Sequence, residues 1–248
     1  MKVLNLVVIG LLFVSSVAYS DMIGDLKIKK NNTQKQGITY TVTENDKQLE
    51  KIIITEKGNN KLVKNFDMYD YSYLFENGKV YVIPDQWQQM GANVPLMINL
   101  FHDTTELNKN FDKYKIPDYS GFKVVRRETV DGNACQLLQK VISTKKMVDE
   151  YNNPFTIQQI MRIYVTEKYG YPAKIEFYSR SKYDTEKDYT DNDIDSTIYF
   201  TEFSTDLSGK LLALPKNAYV VDTSNPNSFD TKKLLQFQKQ LSDDEDDE

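Results

Sequence analysis

One cysteine, one histidine and one tryptophan are all that the 248 residues hold of these three types. The lone cysteine, Cys135, has no internal disulfide partner, so the fold must rest on its core. It lies in the strand-like segment NACQLLQKV, where a buried structural thiol is expected. The lone histidine, His102, has no second His or Cys pattern beside it, so no metal site is expected there. Catalytic signatures are missing as well. The chain has no Gly-rich phosphate loop, no Ser-centred nucleophile elbow, no His-Glu-x-x-His helix and no calcium-loop spacing. The expectation is a protein without catalytic residues, metal or cofactor, and not an enzyme.

A net basic field is missing too. The formal charge is −5 at pH 7. Lys2 is the only charged residue before Asp21. Without it, 30 basic residues face 36 acidic ones, and six of the acidic ones form the run DDEDDE at 243–248. The body at 21–242 therefore balances at 30 against 30, which gives nucleic acid nothing to bind. The tail reads as a solvated, disordered end.

The one long apolar run, VLNLVVIGLLFVSSV, follows Lys2. It is short for a bilayer span, which needs about 20 apolar residues. Ala18 and Ser20 stand at the spacing that signal peptidase reads. Residues 1–20 thus read as a cleaved secretory signal peptide, and Asp21 as the first mature residue. No Cys lies near the cleavage point, so no lipid is attached there. The expected product is exported, periplasmic or secreted, soluble and not lipid-anchored, with a single domain at 21–242. Asn31-Asn32-Thr33 fits a glycosylation acceptor, relevant only in a glycosylating host.

What the chain does have is period-two alternation. GITYTVT at 37–43 puts Ile38, Tyr40 and Val42 on one face. LEKIIITEK and NKLVKNF follow around Gly58-Asn59. YSYLFENGKVYVI carries two β-rich halves around Asn77-Gly78, and FKVVRRETV and ACQLLQKVI flank Asp131-Gly132. Both dipeptides are strong hairpin signals. RIYVTEKYGYPAKIEFY at 162–178 forms another pair around Tyr169 to Pro172, and STIYFTEF at 196–203 is the last clear strand. Seventeen Tyr and twelve Phe suit strands. The fold class expected is mainly β, an antiparallel meander with a few short helices. Its exposed face is resolved by closure, by a second sheet or by curling around helices. One or two short helices are expected at 85–101, broken at Gly91 and Pro95, and a terminal helix at 228–241. The polar segment YDTEKDYTDNDID at 183–195 reads as a solvated loop between strands rather than a calcium site.

Large side chains fall on both faces of several strands. Met161, Ile163 and Val165 oppose Tyr164; Ile175 and Phe177 share a face; Ile198 and Phe200 oppose Tyr199 and Phe203. Packing against helices accounts for this, and so does an apolar cavity inside a curved sheet. The residues leave both open.

The order of the segments carries a resemblance. A strand ends in VDGNACQLLQKV. It is followed by MRIYVTEKYGYPAKIEFY, a polar loop, STIYFTEF and LLALPKNAYVVD. With Asp131-Gly132, Gly170 to Ile175 and Leu214-Pro215 as matching positions, this resembles the LolA/LolB-type periplasmic lipoprotein carriers and their lipid-binding relatives. The resemblance implies an unclosed antiparallel β-barrel, or strongly curved sheet, with a helical plug on its concave face. It implies an acyl chain held in the cavity and non-covalent transfer. The segment 85–101 would be the lid, with Trp87, Met90, Leu96, Met97 and Leu100 facing the ligand. Ile163, Val165, Ile175, Phe177, Ile198 and Phe200 would line the sheet side. Arg162 and Arg180 match the family's lid-controlling arginine by residue type only. The acidic tail and the loop at 183–195 lie outside the family pattern.

Three functions follow as expectations. The first is carriage of a lipid or acylated lipoprotein in the cell envelope. The second is an interaction protein with a filled core, contacting other envelope proteins. The third is a hydrolase with a carboxylate pair that no spacing singles out.

Overall fold

The computed structural model describes residues 22–44, 51–65, 71–84, 97–101, 114–210, 212–214, 218–222, 225 and 232. Most strands form where alternation predicts them. The order is β1 (Ile38–Glu44), β2 (Ile52–Lys57), β3 (Asn60–Asn65), β4 (Tyr71–Glu76), β5 (Lys79–Pro84), β6 (Met97–Phe101), β7 (Lys123–Val130), β8 (Asn133–Val148), β9 (Pro154–Thr166), β10 (Pro172–Tyr183), β11 (Thr190–Ser204) and β12 (Tyr219–Asp222). Among the described residues the one continuous helix, α1, covers residues 22–36. The protein is thus mainly β. Its pairing is mainly antiparallel, with β12 running parallel to β6.

The chain forms two compact units. The first gathers α1, β7 to β10 and most of β11, in the strand order β11-β10-β9-β8-β7. The second gathers β2 to β6 and β12, in the order β12-β6-β5-β4-β3-β2-β1. β1 divides between the units after Thr41, and β11 after Thr201. Among the described residues neither run of strands closes on itself.

The hairpin dipeptides do what their chemistry allows. Asn77 and Gly78 have φ of 51° and 75°, and Asp131 and Gly132 have 46° and 75°. Positive φ at both central residues matches the right-handed twist of the flanking strands. Glu76 then pairs with Lys79, and Val130 with Asn133.

The turn from β9 to β10 is longer, with five residues between the strands, and is closed by its own backbone bonds. Gly170 N–H donates to the Thr166 carbonyl at 2.9 Å, and Thr166 N–H donates to that of Tyr171 at 2.8 Å. Gly170 has φ of 72°, and Pro172 opens the returning strand as expected. α1 lies directly on this turn. A Cβ at Gly170 would meet the backbone of Lys30, and the Leu26 carbonyl oxygen at 2.6 Å. Thr33 Oγ1 donates to the Tyr169 carbonyl at 3.0 Å, and Tyr119 OH donates to that of Gly170 at 2.7 Å. Lys27 Nζ reaches Ser120 Oγ at 2.7 Å and Asp118 at 3.3 Å.

Two expectations need correction. Residues 97–101 are strand β6, not helix. They pair with β5, with Leu100 opposite Tyr81, and in parallel with β12, with Met97 opposite Tyr219. A parallel-paired strand reads as a continuous apolar run, so PLMINLF lacks the alternation that would have marked it. The expected loop at 183–195 is strand from Thr190 onward. Backbone pairing of Ser181 with Thr190 and of Arg180 with Asp191 overrides the low β-propensity of TDNDID. The expected helix at 85–96, the leader at 1–20, His102 and the tail at 243–248 lie outside the described residues. So does the expected terminal helix, apart from Lys232, which is helical.

Candidate binding cleft

The register places the six expected sheet residues on one face of the first unit. Leu138 stands opposite Ile163, Ile163 opposite Ile175, and Ile175 opposite Ile198. Phe177 lies beside Met161 in the next row, and Val165 and Phe200 continue the same face. Ile163, Val165, Ile175, Ile198 and Phe200 are buried, at 0 to 5% exposure, and Phe177 is half-buried. These side chains are packed together as core. Of the expected lid, Trp87, Met90 and Leu96 lie outside the described residues. Met97 and Leu100 are placed in β6 by their backbone.

The opposite face of the same strands carries a polar network. Tyr164 OH donates to Glu176 Oε2 at 2.9 Å, and Lys174 Nζ lies 2.7 Å from Glu176 Oε1. Burial pushes the Tyr164 hydroxyl up, and its bond to Glu176 adds to that. Arg162 Nε donates to Gln139 Oε1 at 3.1 Å, and its guanidinium lies over the Tyr178 ring at 4.2 Å. A terminal nitrogen of Arg162 reaches Asp191 at 3.2 Å. Arg180 Nε donates to Gln158 at 2.9 Å. Both arginines that sequence reasoning singled out are thus tied to neighbouring strands.

Cys135 is buried, and its thiol lies 3.3 Å from the Asn133 carbonyl oxygen. Burial pushes the thiol up to about 11, so the reactive thiolate is scarce at neutral pH. Iodoacetamide should therefore leave Cys135 unmodified in the folded protein at pH 7.5 and label it quickly in urea. Equal rates in the two conditions, read by mass spectrometry, would show an accessible thiol instead.

Sequence reasoning missed an open cleft in the second unit. It offers about 500 Å³, largely open to solvent, between the β2–β3 hairpin and the chain that follows β11. Lys57, Asn60, Leu207, Lys210, Leu212 and Ala213 line it. Its walls are built from three directions. Gly37, with φ of 97°, has no side chain to hold off its neighbours. A Cβ there would run into the end of Leu207, with Leu207 Cγ at 3.2 Å and Lys57 Cβ at 3.3 Å. Leu207 and Lys57 therefore stand side by side. Next, Lys210 N–H donates to the Leu207 carbonyl at 3.0 Å, closing a turn through Gly209. The far wall is fastened by Asn60, whose side-chain amide donates to the Leu212 carbonyl at 2.8 Å. Glu76 accepts from Asn60 and from the Leu214 N–H, both at 3.4 Å. Leu212, Leu214, Ala218 and Val220 then pack on a buried cluster of Leu62, Leu74, Tyr81 and Ile83.

The cleft offers an apolar wall and two exposed lysines. Among the described residues no carboxylate lies within ion-pair reach of Lys57 or Lys210. This arrangement suits an amphipathic anion. The available sequence signals were the glycine just before β1 and the apolar segment LLALP, and neither has a meaning in isolation. Among the described residues no cluster of three metal-ligating side chains forms, and no helix is long and apolar enough to cross a membrane. No protein-family model matches the chain, and no curated protein matches it.

Proposed function

We propose that the protein binds an acyl-type ligand in the cell envelope and carries it without changing it. The cleft of the second unit is the observation that supports this most. Its volume of about 500 Å³ falls within the usual range for small-molecule sites, roughly 300–1,000 Å³. An acyl chain lies along Leu207, Leu212 and Ala213, and its anionic head meets Lys57 and Lys210. Removal of the apolar chain from water supplies the affinity, at about 25 cal/mol per Å² before the costs of association. The helical plug and lid implied by the family resemblance belong to this proposal, with residues 85–96 as the lid. Export through the leader at 1–20 belongs to it too. The cargo is a free lipid or the acyl chain of a lipoprotein.

Native mass spectrometry of the protein purified from its own host tests both halves. A chain beginning at Asp21 with an apolar adduct is expected. Titration with myristate below its micelle concentration should show saturable binding. The double variant Lys57→Ala/Lys210→Ala should weaken it about tenfold, as for the loss of one or two charge contacts. Leu207→Asp should abolish it. No adduct, together with no saturable binding, would end the carrier proposal.

A specific observation also favours an interaction role. Val141, Ile142, Met147, Val148 and Tyr151 are all exposed at one end of the first unit.

A further inference from the structure

The far end of the first unit is a four-stranded arm. It comprises the last part of β8, the first part of β9, the last part of β10 and the first part of β11. Lys145 pairs with Ile157, Ile157 with Ser181, and Ser181 with Thr190. Among the described residues no further strand pairs with the outer strands of this arm. β7 pairs with β8 only as far as Gln139, where Lys123 stands opposite. Beyond it, residues 141–148 have no strand on their outer side among the described residues. On the other flank, β11 meets β1 through Thr41 and Glu202, and through the rings of Tyr40 and Phe203. Residues 190–195 lie well before that contact and are exposed.

The two edges differ in charge. The β8 edge reads VISTKKMV, with Lys145 and Lys146 exposed between pairs of exposed apolar residues. The β11 edge reads TDNDID, with Ile194 exposed at 53% among Asp191, Asp193 and Asp195. Asp191 is held by Arg162. Among the described residues Lys145, Lys146, Asp193 and Asp195 have no ion-pair partner.

We propose that the protein associates with itself head to tail, the β8 edge of one copy adding to the β11 edge of the next. Strand direction permits this. Within the arm β8 and β10 run one way and β9 and β11 the other. A second copy in the same orientation brings its β11 alongside β8 in antiparallel sense, and the ladder continues. Charge decides which edges meet. Two β8 edges set lysines against lysines, and two β11 edges set aspartates against aspartates. Charged edges normally keep strands apart. Here each edge repels its own kind and attracts the other. The unpaired backbone groups supply hydrogen bonds, and Ile194 meets the apolar residues of β8. Such a contact uses different patches on the two copies, so it builds rings or open chains rather than a closed two-fold dimer.

Sedimentation velocity on the purified protein tests the proposal. At low salt the average mass should rise well above that of the monomer as concentration increases. In 1 M salt, where the screening length falls to about 3 Å, the association should weaken. Lys145→Glu/Lys146→Glu and Asp193→Lys/Asp195→Lys should each be monomeric, with circular dichroism and melting temperature unchanged. Mixed in equal amounts, these two variants present only complementary edges to one another and should associate again. A wild-type protein that stays monomeric at its solubility limit would overturn the proposal. So would variants that associate as the wild type does, or a mixture that stays monomeric.

Discussion

Replacing Gly170 with alanine is expected to destabilise the protein by about 2–5 kcal/mol. Two costs combine. At φ of 72° a side chain strains the backbone by about 1–2 kcal/mol. The new Cβ also runs into α1, whose Leu26 carbonyl oxygen would stand 2.6 Å away. Backbone cannot swing aside as a flexible side chain can, and such overpacking costs about 1–3 kcal/mol or more. Moving α1 outward would loosen the bonds of Thr33 to Tyr169 and of Lys27 to Ser120. Gly132 is the control. It has a similar φ of 75°, but nothing lies within 4 Å of its Cβ direction. Gly132→Ala should therefore cost only the strain, about 1–2 kcal/mol. Urea denaturation of both variants measures the difference, provided the slopes match that of the wild type. Equal losses would mean that α1 does not press on the turn.

Replacing Glu176 with alanine should cost about 2–4 kcal/mol. Its carboxylate is buried and serves both Lys174 and Tyr164. Without it an ammonium and a hydroxyl lose their partner in the low-dielectric body of the sheet. The cost is set below that of a fully buried pair because Lys174 keeps some contact with water, at 19% exposure. The double variant Glu176→Leu/Lys174→Met removes both charges and fills the volume with apolar atoms. It should recover the part of the loss due to the unpaired ammonium, since a buried ion pair is often worth little more than good apolar packing, while the Tyr164 hydroxyl still lacks its acceptor. Thermal and urea denaturation of the single and double variants form the check. If the double variant is as unstable as the single one, the network has a value beyond the pairing of two charges.

The strands were legible because each carries its own signal. Alternation in GITYTVT or FKVVRRETV depends only on neighbours along the chain, and Asn77-Gly78 and Asp131-Gly132 set the register of their hairpins locally. α1 was not legible. MIGDLKIKKNNTQKQ has few apolar residues in helical spacing, and Leu26 is its buried apolar anchor. Its place on the protein comes from contacts with residues more than ninety positions away, Ser120 and Tyr169 among them. β6 was misread because its run lacks alternation. The start of β11 was misread because propensity argued against a strand that pairing with β10 imposes.

Chemistry divides along the same line. The amino-acid sequence by itself determined the β class, the hairpin positions, the even charge of the body and the lack of a disulfide. Composition and short-range order settle such properties. Only the tertiary structure decided that Ile163, Val165, Ile175, Ile198 and Phe200 are packed core, since alternation tells which face a side chain takes but not what covers that face. Only the tertiary structure set Gly37 behind Leu207, tied Asn60 to Leu212, and so opened a cleft between Lys57 and Lys210. It also placed a basic edge and an acidic edge on the two flanks of one arm, joining stretches more than forty residues apart. Both sites depend on strand order and close approach across the fold, and no local pattern encodes either.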